Sequence, residues 1–92
     1  MTSINVDMAV EDRDGWVFTV ELNDPDSSTR HSVYLSRETF ENLRRCDETS
    51  TEFIKRSFEF LLKREPKNAI LGSFDILDIN RYFPEFEETM TR

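Results

Sequence analysis

One cysteine, one histidine, two glycines and three prolines are all that 92 residues contain of these types. With Cys46 alone, no internal disulfide can form, and a reducing compartment fits. A reactive thiol would need an activating base, yet His31 lies fifteen residues away on a different expected element. His31 has no second histidine or nearby cysteine with which to share a metal, so it reads as a satisfied sheet histidine. No nucleotide-binding signature is present. The acids Asp24 and Asp26 in "DPDSST" resemble the start of a calcium loop, but the central glycine and terminal glutamate are missing, and a turn is the better reading. No apolar run approaches the ~20 residues that span a bilayer. The opening "MTSINVDMAVEDRDG" has neither a basic nor an apolar leader region, so a cytoplasmic protein with no membrane contact is expected.

Positive charge is also scarce, and unevenly so. The net charge is −7, which argues against a general polyanion binder. Residues 1–29 carry seven acids against one base, residues 30–65 seven against eight, and residues 66–92 five against three. A basic face could therefore exist only in the middle third. Its densest set is Arg30, Arg37, Arg44 and Arg45, with Arg37 and Arg44 seven apart on one helix face. These are the candidate anion contacts, although pairing with Glu38, Glu41 or the acidic N-terminal strands is the simpler expectation.

What is plentiful is large apolar side chains, including eight Phe and one Trp. "INVDMAV" alternates, with Ile4, Val6, Met8 and Val10 on one face, as a half-buried strand does. Asp14-Gly15 is a hairpin signal, because glycine accepts the positive φ that tight hairpins require. "WVFTVEL" places Trp16, Phe18, Val20 and Leu22 inward, and "RHSVYLS" does the same with His31, Val33 and Leu35. Ser36 reads as the N-cap of "RETFENLRR", with Phe40 and Leu43 as its core contacts. Thr49 and Glu52 have capping-box spacing before a second, longer helix.

That helix, ending in "SFEFLLKREP", poses the main question. With successive residues 100° apart, Phe60, Phe53, Ser57, Leu61, Ile54, Phe58 and Leu62 fill an arc about 200° wide, roughly twice a surface helix's stripe. One sheet face cannot cover it. Phe53, Ser57, Phe60 and Leu61 are expected to face the sheet, while Phe58 and Leu62 receive the C-terminal segment. Pro66 ends the helix. "KNAILGSF" supplies Ile70, Leu71 and Phe74 on a short helical turn, and Asp75 caps "ILDINRYF", whose Ile76, Ile79 and Phe83 share a side. Asp75 and Asp78 could be paired carboxylates, but a helix start explains both. Glu85, Glu87 and Glu88 read as a solvated tail.

Two resemblances bear on identity. "SFEFLLKREPKNAILGSFDILDINRYFPEF" resembles a family of small stand-alone bacterial proteins through its blocks "FLL-RE-P", "IL--FD" and "I--YFPE", and "RHSVYLS" looks like their strand before a helix. The likeness implies a shared small-domain architecture and no assigned reaction. More distantly, "RHSVYLSRETFENLRRCDETSTEFIKRSFEFLLKRE" looks like a ribbon-helix-helix regulator or antitoxin. That resemblance implies that Arg30, Ser32 and Tyr34 face the major groove. The acids Asp47, Glu48 and Glu52, however, stand where that family meets a phosphate.

The expectation is thus a single α+β domain over residues 1–92. A three-stranded antiparallel meander (4–35) precedes three or four helices packed on one face (36–86), and residues 87–92 form a frayed tail. The expected function is a non-enzymatic protein-interaction or scaffold domain with a protein partner, as monomer or homodimer. A ribbon-helix-helix-like regulator is the alternative. No catalytic residue, cofactor or metal is expected, and nucleic acid is disfavoured. The candidate interaction surface is Phe58, Leu62, Tyr82, Phe83 and Phe86.

Overall fold

The computed structural model describes residues 2–91 and is α+β. Strands β1 (Ser3–Glu11), β2 (Gly15–Asn23) and β3 (Ser28–Ser36) form an antiparallel meander. On β2 and β3 the alternation is obeyed throughout: Phe18, Val20, Leu22, Val33 and Leu35 are fully buried, with Trp16 and His31 nearly so. Strand β1 departs from it. Met8 pairs with Phe18 but Val10 pairs with Val17, so Ala9 is an extra residue, a β-bulge. The bulge reverses the side-chain parity beyond it. Val10 therefore leaves the inner face for the outer one and is 51% exposed. Met8 keeps the inner side but lies on the edge strand, equally exposed. Neither belongs to the core expected of them. Glu11, brought opposite Trp16, accepts a hydrogen bond from Arg37 at 2.8 Å.

The β1–β2 turn is built by Asp12. Its carboxylate accepts the backbone N–H groups of Asp14 at 2.8 Å and Gly15 at 2.9 Å. Gly15 is required here, but not for a positive φ, since no glycine has one. A Cβ on it would collide with the carbonyl oxygen of Leu35 on β3. Close backbone approach, rather than turn conformation, explains the residue.

Helix α1 (Arg37–Leu43) starts at Ser36, whose hydroxyl accepts the Thr39 N–H. The chain turns at Asp47, which takes the left-handed conformation (φ 67°) that Asp tolerates better than most residues. Helix α2 (Ser50–Leu62) then opens with the full capping box of Thr49 and Glu52. All of Phe53, Ile54, Ser57, Phe58, Phe60 and Leu61 are buried, and Leu62 is half-buried. At the centre of the arc, the Ser57 hydroxyl donates to the Phe53 carbonyl at 2.9 Å, so it is buried without an orphaned polar group.

After α2 the chain returns to the sheet. Residues Ser73–Asp75 form β4, which pairs with β3 in parallel, giving the order β1-β2-β3-β4. The meander of three strands is thus extended by a fourth that is not antiparallel. A parallel neighbour needs a long crossover, and α1 and α2 supply it. Ile70 and Leu71, expected on a helical turn, instead follow a short 3-10 turn (Lys67–Ala69). Ile70 is buried, whereas Leu71 is 49% exposed. A second 3-10 turn (Ile76–Asp78), capped by Asp75, leads into α3 (Ile79–Tyr82) and then α4 (Phe86–Thr91). Residues 87–91, expected to fray, are helical, with Met90 buried; residue 92 lies outside the described residues.

The two ends of the α2 arc meet partners opposite to those expected. Phe58 packs on His31 and Phe74, at ring separations of 5.7 and 6.0 Å. Phe60 meets Phe83 and Phe86 edge-on, at 6.0 and 5.1 Å. A helical projection gives the width of an apolar arc but not which end the returning chain reaches first. Here the chain goes to β3 first, bringing Phe74 to Phe58, and passes Phe60 only afterwards.

Because Phe86 is fully buried, Phe86→Ala should lower unfolding free energy by about 3–5 kcal/mol. Tyr82→Ala, at a side chain 65% exposed, should change it by no more than about 0.5 kcal/mol. Urea unfolding measures both. Equal, small effects would contradict the packing of α4.

Candidate functional site

Most of the polar residues that could have carried chemistry are engaged in the fold. His31 is buried beside Leu71, with Nδ1 at 2.7 Å from its carbonyl oxygen and Nε2 at 2.8 Å from the Thr29 hydroxyl. A carbonyl only accepts, so Nδ1 carries the proton and Nε2 faces the hydroxyl. Asp24 closes its own turn by accepting the N–H groups of Asp26 and Ser27, both at 3.0 Å. Asp75 and Asp78 form a capping box. Glu85 holds Arg64 at 3.2 Å, and Glu87 accepts from Asn80 at 2.9 Å. Cys46 is exposed. Among the described residues, no three potential metal-ligating side chains gather.

The basic set is also engaged within the chain. Arg30 faces its cross-strand partner Glu21 at 3.4 Å. Arg37 holds Glu11, donates to the Arg13 and Asp12 carbonyls, and stacks 4.5 Å from the Trp16 ring. The Arg37 hydrogen bond keeps the Glu11 carboxyl below its usual range, with a smaller contribution from Trp16. Arg44 donates to the Glu48 carbonyl at 3.3 Å and covers Phe40. The Arg45 backbone N–H donates to the Glu48 carboxylate at 3.1 Å.

Three ion pairs between well-separated residues escaped the sequence reading, as did the longer Arg81–Asp78 contact at 3.9 Å. Arg56 grips Glu48 with a two-pronged contact of 2.7 and 2.8 Å, and this fork is the main reason the Glu48 carboxyl is lowered. Arg64 joins Glu85 to α2, with its guanidinium 3.6 Å from the Phe60 ring. Lys67, a lysine only 8% exposed, donates to Asp24 and Ser27, both at 2.7 Å, and so ties the return segment to the β2–β3 turn. No local pattern marks these residues, because each partner is distant in sequence or meaningful only after folding.

Among the expected surface residues, Phe58 and Phe86 are fully buried. They belong to the chain's own core because sheet and tail enclose α2. Leu62 is half-buried and borders a groove of about 870 Å³ that also includes Ile4, Lys63 and Thr89. Arg56 and Arg64 border this groove too, already holding Glu48 and Glu85. Tyr82 and Phe83 come together elsewhere, in an apolar cleft of about 130 Å³.

This cleft is the candidate site. Its buried members are Leu61 from α2, Ile70 from the return segment and Ile79 from α3. Phe74 of β4 and Phe83 are half-buried in it, while Leu71 and Tyr82 stand exposed at its border with Ala69. Among the described residues, Glu65 and Asp78 are the charged ones that line it, both acidic. Leu71 reaches this border because the chain leaves the 3-10 turn at Ile70, whose own backbone is extended and whose side chain goes in while Leu71 goes out. The chain matches no family model, no curated protein and no solved structure.

The Asp24–Lys67 pair gives a pH dependence. Lys67, and then the N–H groups of Ser27 and Asp26, lower the Asp24 carboxyl from 3.8 to about 2. A carboxyl depressed in the folded state contributes stability that is fully present above its ordinary value and lost as pH falls through the folded one. Wild-type urea midpoints should therefore drop between about pH 4 and pH 2. Asp24→Asn should be less stable at pH 7 and lose less over that interval. A profile unchanged by the substitution would show that the pair contributes nothing.

Proposed function

We propose that this chain is a small non-enzymatic protein-interaction domain that receives one bulky side chain of a partner protein in the cleft between α2, β4 and α3. The cleft carries the reading. Of the large hydrophobics exposed among the described residues, Met8, Val10, Leu71, Leu77 and Tyr82, two stand at its border. Its size selects among occupants. Drug-sized ligands and cofactors need pockets of about 300–1,000 Å³, whereas a cavity of about 150 Å³ holds a benzene ring. At about 130 Å³ the cleft suits one leucine or aromatic side chain. The engagement of His31, the acids and the arginines in structural bonds supports a binding role over a catalytic one.

The ribbon-helix-helix alternative draws less support. Strand β3, which would have to be an intermolecular ribbon, is paired with β2 along one edge and with β4 at Ser32–Tyr34 along the other, which interrupts the edge a twin would need. Arg30, which would face the groove, is opposite Glu21. Titration against duplex DNA at physiological salt should show no binding at micromolar concentrations. A salt-steep micromolar affinity would favour the regulator.

The interaction reading is tested by retention from a host extract. Immobilised wild type should hold a protein that Leu71→Asp releases, with the variant's melting temperature unchanged. Identical retention by the two would remove the cleft from the interaction.

A further inference from the structure

The cleft is apolar within and acidic at its border, and the two features together define an occupant. We infer that it takes a peptide segment in which one large apolar side chain is flanked by Lys or Arg, an inference that rests on the interaction reading above. The apolar part follows from the lining: Leu61, Ile70, Ile79 and Phe83 offer no polar group to a ligand's interior atoms, and the volume admits one side chain. The charged part follows from Glu65 and Asp78, the charged residues that line the cleft among the described residues. Asp78 is occupied on both oxygens, accepting the Asp75 N–H at 3.2 Å and facing the Arg81 guanidinium at 3.9 Å, so Glu65 is the carboxylate that counts. Among the described residues the Glu65 carboxylate has no hydrogen bond or ion pair, so it is available to a cation brought by a ligand.

A second copy of the chain is a poor occupant. Its other exposed pair of large hydrophobics, Met8 and Val10, sits among Asp7, Glu11, Asp12 and Asp14. Insertion of that strand would set carboxylates against Glu65 and Asp78. An acidic or neutral segment would gain the apolar contact alone. A basic-flanked segment gains both, and the net charge of −7 would also draw it in from a distance.

The test uses blocked hexapeptides labelled for fluorescence anisotropy and the full chain. One carries a central Leu or Phe between pairs of Lys, a second has Glu in place of Lys, and a third has Ala in place of the apolar residue. The Lys-flanked peptide should bind most tightly, weaken with added NaCl, and be lost on Leu71→Asp. Glu65→Lys should weaken it by about fivefold or less, the range of exposed charge pairs, without changing the melting temperature. Equal binding of the Lys- and Glu-flanked peptides, abolished by Leu71→Asp, would overturn the charge preference and leave the interaction reading standing. No binding of any apolar peptide, or binding that Leu71→Asp leaves intact, would overturn both for this cleft.

Discussion

The width of the apolar arc on α2 is the constraint from which the rest of the structure follows. Six of its thirteen residues are buried, and they spread too far around the helix axis for one layer to cover them. Phe53 meets Phe40 of α1 edge-on at 5.9 Å, and His31 of β3 lies 5.7 Å from Phe58. One flank, at Phe58, calls for β4 and Phe74; the other, at Phe60, calls for Phe83 and Phe86. The C-terminal third is therefore part of the core. Each fully buried Phe contributes roughly 1.5–3 kcal/mol of transfer free energy. Such amounts are large against a typical total of about 5–15 kcal/mol.

Covering α2 in this way determines where the cleft lies. The return segment must reach the β3 edge, and it is held there at three points: Lys67 on Asp24, the Leu71 carbonyl on His31, and the Gly72 carbonyl on the Ser32 N–H at 2.8 Å. Between the 3-10 turn and β4 the chain bends at Ile70 and Gly72, and Leu71 between them faces outward. The short α3 then crosses beside it, presenting Tyr82. An apolar hollow remains where the segment, α2 and α3 meet. The acids beside it come from two separate demands. Asp78 is there to cap the 3-10 turn, and Glu65 follows the end of α2 immediately before Pro66. The groups that line the cleft are thus placed largely by the demands of folding.

Much of the fold is legible in the sequence because its signals are local. The alternation of Trp16 to Leu22, the cap at Ser36 and the Thr49–Glu52 box each act within a few residues, and the structure contains all three. Legibility fails where a decision is non-local. Strand β4 is three residues long and takes its pairing from β3, some forty residues earlier, so "SFD" carries no strand pattern of its own. The bulge at Ala9 interrupts a sequence that alternates without fault, because pairing with β2 sets the parity. Phe58 and Phe60 could not be assigned to their flanks from a helical projection. Of the candidate surface, Tyr82 and Phe83 reach the cleft, whereas Leu71, exposed at its border, is found only once the path of the segment around it is known.

The central claim is that the chain's own C-terminal segment, rather than a twin helix, encloses α2. Ring-to-ring nuclear Overhauser contacts between Phe60 and Phe86, recorded on a sample mixing labelled and unlabelled protein, address it most directly. The account predicts cross-peaks arising within one molecule, matching the 5.1 Å ring separation, and no intermolecular contacts from Phe58 or Phe60. Absence of the Phe60–Phe86 contact, or its appearance only between labelled and unlabelled molecules, would contradict it.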